Sequence, residues 1–153
     1  MNAVRGWRGF AGFVFVALVF ALSAPAAYSA GCSVSTLGLS FGNYDVFSAL
    51  NNDITGSVNV NCVSSTSYSI SLSSGFGTYA ARTMTSGTNL LGYNLYLDPT
   101  RLTIWGDGSA GTGTVSGTGT GATVSSPVYG RIPAGQNAYV GGYTDVVTVT
   151  VTF

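Results

Sequence analysis

The chain has 153 residues, five of them arginine and five aspartate, with no histidine and a formal net charge of zero. No lysine and no glutamate occur either, so neither a Ser-His-Asp nor a Ser-Lys nucleophile can be assembled. Without clustered cations there is no footprint for nucleic acid.

Residues 1–30 read as a secretory signal peptide. Arg5 and Arg8 precede an apolar run from Phe10 to Leu22, which leads into small-residue "SAPAAYSA". The run is short for a membrane span, so lasting insertion is not expected. Cleavage after Ala26, Ser29 or Ala30 fits equally. Lipidation at Cys32 is the competing reading, although the aliphatic residue usual before such a cysteine is missing. Removal of the leader leaves about 123 to 127 residues, one domain in size. It also leaves Arg82, Arg101 and Arg131 against five aspartates, a net charge of −2.

The domain, 31–153, reads as all-β. Cys32 to Gly42 carries Cys32 and Val34, then Leu37, Leu39 and Phe41, and the change of parity between Val34 and Leu37 predicts a break or bulge. "GSVNVNC" places Val58, Val60 and Cys62 on one face. Cys32 and Cys62 are the two cysteines of a chain addressed to an oxidising compartment, and are expected to form one disulfide between neighbouring strands. "SYSISLSSG" turns Tyr68, Ile70 and Leu72 inward, and "LGYNLYLDP" does the same for Tyr93, Leu95 and Leu97.

After "LTIW", the stretch from Gly106 to Thr123 is almost wholly Gly, Thr, Ser and Ala, and reads as a loop or a loosely held hairpin. Within it Gly106, Gly108 and Gly111 match the dinucleotide-binding spacing. That motif needs a helix opening at once, and "TGTVSGTGTG" follows instead, so no cofactor is expected. "SPVYGRIPAG" resumes a strand that Pro133 ends. "TDVVTVTVTF" closes the chain with Val147, Val149, Val151 and Phe153 on one side and threonines on the other. Six or seven strands at this spacing favour an immunoglobulin-like sandwich.

Few residues are candidates for chemistry. The five aspartates sit mostly at strand ends or turns, where Asp bonds its own backbone, so catalysis and metal binding are not expected. Trp105 reads as core in preference to a ligand platform. Arg82 and Arg131 are expected to pair with Asp98 or Asp145 in preference to a partner's carboxylate. Phe76 and Tyr79 in "GFGTYAA" are a candidate surface-contact tip.

The combined pattern is specific. It comprises Cys32, Phe41-Gly42 with Tyr44, Gly56-x-Val58-x-Val60-x-Cys62, Tyr68-x-Ile70-x-Leu72-Ser73-x-Gly75 and Arg82-x-Met84. It continues through Tyr93-x-Leu95-Tyr96, Trp105-Gly106-x-Gly108, Tyr129-Gly130-Arg131-Ile132-Pro133-x-Gly135-Gln136 and Tyr143-x-Asp145. From Cys32 to Phe153 the chain resembles the spore coat protein U domain family, which includes subunits of archaic, Csu-type chaperone-usher pili.

The resemblance implies a secreted, non-enzymatic subunit of a Gram-negative bacterium, exported through the periplasm to the cell surface, in a pilus or a coat. The implied fold is an immunoglobulin-like sandwich lacking its last strand, completed by donor-strand complementation. The implied partners are a periplasmic chaperone, an outer-membrane usher and other pilin subunits. Val147, Val149, Val151 and Phe153 become the expected interface for the added strand. Family members that form the rod carry a donor segment before the first cysteine. The short stretch between the cleavage sites and Cys32 implies a subunit that receives a strand and passes none on, tip-like, with a role in adhesion or biofilm formation. The competing readings are a non-polymerising coat protein and a small carbohydrate-binding sandwich.

Overall fold

A computed structural model describes residues 31–153. The signal-peptide reading of residues 1–30, with its cleavage sites, lies outside the described residues. These contain eight strands and no helix: β1 (Cys32–Thr36), β2 (Asn52–Cys62), β3 (Ser67–Leu72), β4 (Arg82–Ser86), β5 (Asn89–Tyr96), β6 (Val115–Thr118), β7 (Thr123–Ile132) and β8 (Val149–Thr152). They form a five-stranded sheet in the order β1-β2-β7-β5-β4 and a three-stranded sheet in the order β6-β3-β8.

Alternation explains the core. Val58, Val60 and Cys62 of β2, Tyr68, Ile70 and Leu72 of β3, Tyr93 and Leu95 of β5, and Val128 and Ile132 of β7 are all buried. Their neighbours along each strand are mostly Ser, Thr and Asn, which face water because successive side chains take opposite sides. The cysteines are bonded to one another. They face each other across β1 and β2, in register Cys32↔Cys62. Val63 donates to the Gly31 carbonyl at 3.0 Å, which makes 31 and 63 the hydrogen-bonded position and leaves the next pair along, Cys32 and Cys62 with Cα atoms 4.1 Å apart, a non-hydrogen-bonded one. A non-hydrogen-bonded pair brings its side chains closest, which is where a cross-strand bridge fits.

The break expected between Val34 and Leu37 is present: β1 ends at Thr36, Gly38 (φ +72°) turns the chain inward, and Leu37 is left exposed. Two other expectations need correction. The Gly-rich stretch holds β6, whose Val115 to Thr118 pair with Ile70 to Ser67. Gly117 is what lets β6 lie there, since a Cβ would strike the Tyr68 ring. The closing strand is shorter than its alternation, because only Val149 to Thr152 pair with β3.

Trp105 is fully buried and its Nε1 donates to the Ile70 carbonyl at 3.1 Å, so it belongs to the core. It is delivered there by a turn built on Asp98, whose carboxylate accepts from Thr100 Oγ1 and from the amides of Leu102 and Thr103. These donors hold the Asp98 carboxyl at about 2, below its ordinary 3.8.

Two outcomes are expected. Replacing both cysteines by serine should lower stability by about 3 to 4 kcal/mol, from the chain entropy of a loop of about 30 residues, read as a shift of the urea midpoint. Because the Asp98 pKa is depressed on folding, its contribution is present above pH 4 and lost as the pH falls towards 2. Acid unfolding of Asp98→Asn should therefore be less steep across that window than that of the parent.

Candidate functional site

The two sheets are unequal, and the inner face of the wider one is incompletely covered. Residues 37–44 cross that face as irregular chain. Leu39 lies against Gly56 and Phe41 against Gly130, two positions where a Cβ would meet the crossing side chain. Phe41 meets Tyr93 edge to face at 5.9 Å. Asn52 Nδ2 donates to the carbonyls of Phe41 and Asn43, fixing the crossing backbone. On the opposite side runs the segment 138–149, which leads into β8.

Between these two walls lies an open apolar trough. One part, about 360 Å³, has Val58, Leu72, Tyr93, Leu95 and Val128 in its floor, with Val147 and Val149 in its wall. The other, about 740 Å³, is floored by Leu91 and Ile132 and walled by residues 39–47 and 138–144. Leu39, Phe41, Met84, Tyr143 and Thr144 line both parts, so the two adjoin.

The trough is bordered by a free strand edge. β8 is hydrogen-bonded only to β3. Ser73 donates to the Thr148 carbonyl at 2.9 Å, which makes 148, 150 and 152 the positions whose backbone bonds point into the sheet. The amides and carbonyls of Val147, Val149 and Val151 therefore point the other way, and no described residue bonds them. A row of such groups is a template for another strand.

The trough's far wall is held by side chains. Asp145 faces inward where alternation would place an apolar residue. Tyr93 Oη donates to its Oδ2 at 2.5 Å, and the amides of Phe76 and Val146 donate to Oδ1 at 2.9 and 2.7 Å. Burial, then this carboxylate, push the Tyr93 phenol up from its ordinary value. Thr144 and Thr85 exchange backbone bonds, tying this wall to β4. Tyr44 Oη donates to the Pro133 carbonyl at 3.0 Å and accepts from the Gln136 amide at 2.8 Å. Gln136 in turn pairs its side-chain amide with both backbone groups of Gly92, at 2.7 and 2.8 Å.

The arginines depart from expectation. Arg131 pairs with Asp53, its Nε 2.7 Å from Oδ1, and Arg101 reaches the same carboxylate at 3.3 Å. This carboxyl is held low first by the Arg131 hydrogen bond. Arg82 bonds no carboxylate at all. It is fully buried, with Nη1 donating to Asn94 Oδ1 and Nη2 to the carbonyls of Ser73 and Trp105, while Nε has no partner among the described residues. Three acceptors from different strands and loops compensate the buried charge, and burial lowers the guanidinium pKa. The pairing could not be read from sequence because every acceptor is an amide or carbonyl.

Of the expected interface residues, Val147 and Val149 line the trough and Val151 packs on the core. Phe153 is half-exposed beside a separate shallow hollow formed with β3 and β6. Phe76 is exposed, whereas Tyr79 places its ring 5.4 Å from the Arg82 guanidinium, beneath the same loop. The segments 39–47 and 138–144 carry no alternation that would single them out in the sequence. Their signal was the Tyr44 and Gln136 pair, which is legible only once both are known to meet.

Two antiparallel sheets, with one strand position beside β8 left vacant among the described residues, define an incomplete immunoglobulin-like sandwich. The chain belongs to the Spore Coat Protein U domain family, whose model matches residues 18–150. Protein U of Myxococcus xanthus is 40% identical over 129 residues, covering 75% of this chain and 71% of that protein. The fold is also similar to the chaperone-tip adhesion subunit pre-assembly complex, CsuC-CsuE, from archaic chaperone-usher Csu pili of Acinetobacter baumannii. The TM-score is 0.61 at 22% identity, covering 81% of this chain and 40% of that one.

Tyr93→Phe, which removes a charge-assisted hydrogen bond without opening a cavity, should cost about 2 kcal/mol. Thermal unfolding would check it, and Tyr96→Phe, which loses no such bond, should change little.

Proposed function

We propose that this chain is a non-enzymatic structural subunit of a chaperone-usher pilus that accepts a strand from a partner. The observation that carries this reading is the pairing of the apolar trough with the free edge of β8. An added strand would satisfy the Val147, Val149 and Val151 backbone and cover the floor of the trough at once. Membership of the family supports it, as does the fold shared with a pilus subunit captured with its chaperone.

In this reading a periplasmic chaperone lends the first strand and another subunit replaces it at the outer-membrane usher, building a head-to-tail fibre at the cell surface. Residues 1–30 are the signal peptide and 31–153 the domain. Cleavage after Ala26, Ser29 or Ala30 would leave too little chain before Cys32 to act as a donor, which makes the subunit tip-like and its role adhesion or biofilm formation. Phe153 would extend the strand-accepting edge, and exposed Phe76, backed by Tyr79, would be one contact point with a surface.

A second reading, a coat component, is favoured by the description of the family itself, the Spore Coat Protein U domain.

Periplasmic expression of the full chain with and without a chaperone of its own secretion system separates these readings. Alone, the chain is expected to aggregate or be degraded; with the chaperone it should be recovered as a soluble one-to-one complex. A stable, protease-resistant monomer without chaperone or donor peptide would sink the proposal. Mass spectrometry of the intact mature chain would read its N-terminus.

A further inference from the structure

We propose that the hollow at the start of β2 binds a neutral saccharide, at a site separate from the strand-accepting edge. The inference goes beyond the proposed function and does not rest on it.

The hollow is about 410 Å³, within the roughly 300–1,000 Å³ of small-molecule sites, and is formed by the chain from Phe41 to Asn51 and the first two residues of β2. It shares Phe41, Asn43, Tyr44 and Asp45 with the wide part of the trough. Ser48, Leu50, Asn51, Asn52 and Asp53 line the hollow and no part of the trough. A strand seated in the trough would therefore leave this second set uncovered.

The lining is fixed by its own bonds. Asn52 Nδ2 holds the carbonyls of Phe41 and Asn43, Asn51 Oδ1 accepts from the Ala134 amide at 3.0 Å, and Tyr44 spans Pro133 and Gln136. Asp45 Oδ1 accepts from the Phe47 amide at 2.9 Å, and Ser48 Oγ closes a short turn on Leu50. A lining held in this way does not have to be ordered by its ligand.

Those bonds leave a mixed set of polar groups over. The Asn43 side-chain amide, Asp45 Oδ2, Asn51 Nδ2 and Asn52 Oδ1 have no partner among the described residues. Donors and acceptors thus stand together in one hollow, and a sugar hydroxyl both donates and accepts. Leu50, 78% exposed, adds an apolar surface with Phe41 and Tyr44 for the C–H side of a sugar ring.

Charge excludes the other ligand classes. No lining residue is a cation, and Asp45 and Asp53 would repel an anion. Asp53 is already paired by Arg131 at 2.7 Å and approached by Arg101 at 3.3 Å. That leaves Asp45 as the one unpaired carboxylate of the lining, too little for a hard cation that takes about six to eight oxygens.

The test uses the full chain in the soluble form that periplasmic expression yields, with the chaperone alone as a blank where a complex is recovered. Maltose, cellobiose, lactose and diacetylchitobiose are titrated by saturation-transfer difference NMR, beside digalacturonic acid as an anionic probe. At least one neutral disaccharide should bind with a Kd of about 1 mM, unchanged between low and high salt. Asn43→Ala and Asp45→Asn should each weaken it about tenfold. Neither should move the thermal midpoint, because the Asn43 side chain bonds nothing in the described fold and the Asp45 substitution keeps an oxygen for the Phe47 amide. Asn61→Ala, the same residue type at the far end of β2, should leave binding as it is. Failure of all four neutral sugars to bind, or equal binding by the parent and both hollow variants, would overturn the inference. So would binding of digalacturonic acid alone, lost in high salt. None of these outcomes bears on strand acceptance, which the chaperone experiment decides.

Discussion

A sandwich is stable when both inner faces are covered, and here a five-stranded sheet faces one of three strands. The deficit in width organises everything else. Irregular chain must do the covering, so residues 37–44 are pulled inward over Gly56 and Gly130, and residues 138–148 are pinned by Thr144 on Thr85 and by Asp145, while Tyr44 and Gln136 fix the chain that leads into them. These bonds hold the walls apart around a vacancy. A domain with a continuous core would have no need of an inward aspartate at position 145.

Much of the fold was legible because alternation is a strong signal wherever one face is buried. β2, β3, β5 and β7 carry it in Val, Leu, Ile and Tyr, and their inward residues are the buried ones. β6 carries almost none. With Gly117 opposite Tyr68, its fit depends on the absence of a side chain, and a Gly/Thr/Ser string gives no periodicity from which to infer a strand. Parity foretold the break after β1, but the direction of the chain beyond it depends on glycines nearly 20 and 90 residues away.

The site was half legible for the same reason. Val147 and Val149 stand in an alternating run, whereas the opposing wall has no pattern of its own. Arg82 marks the limit more sharply. Charge counting looks for an aspartate, and the structure answers with carbonyls and an amide, which every sequence contains everywhere.

The placement of the disulfide has a mechanical consequence. β1 is a five-residue edge strand, and pulling on the chain before Cys32 would ordinarily peel it from β2 one backbone bond at a time, the weakest way to load a sheet. Cys32 is the first residue of β1 and is bonded to the last residue of β2, so tension entering there passes through a covalent link into the strand that shares ten paired positions with β7. The load reaches the centre of the wide sheet as shear, along the strands, where many bonds must fail together. A domain left open on one side is thereby stiffened at the point where the chain enters it.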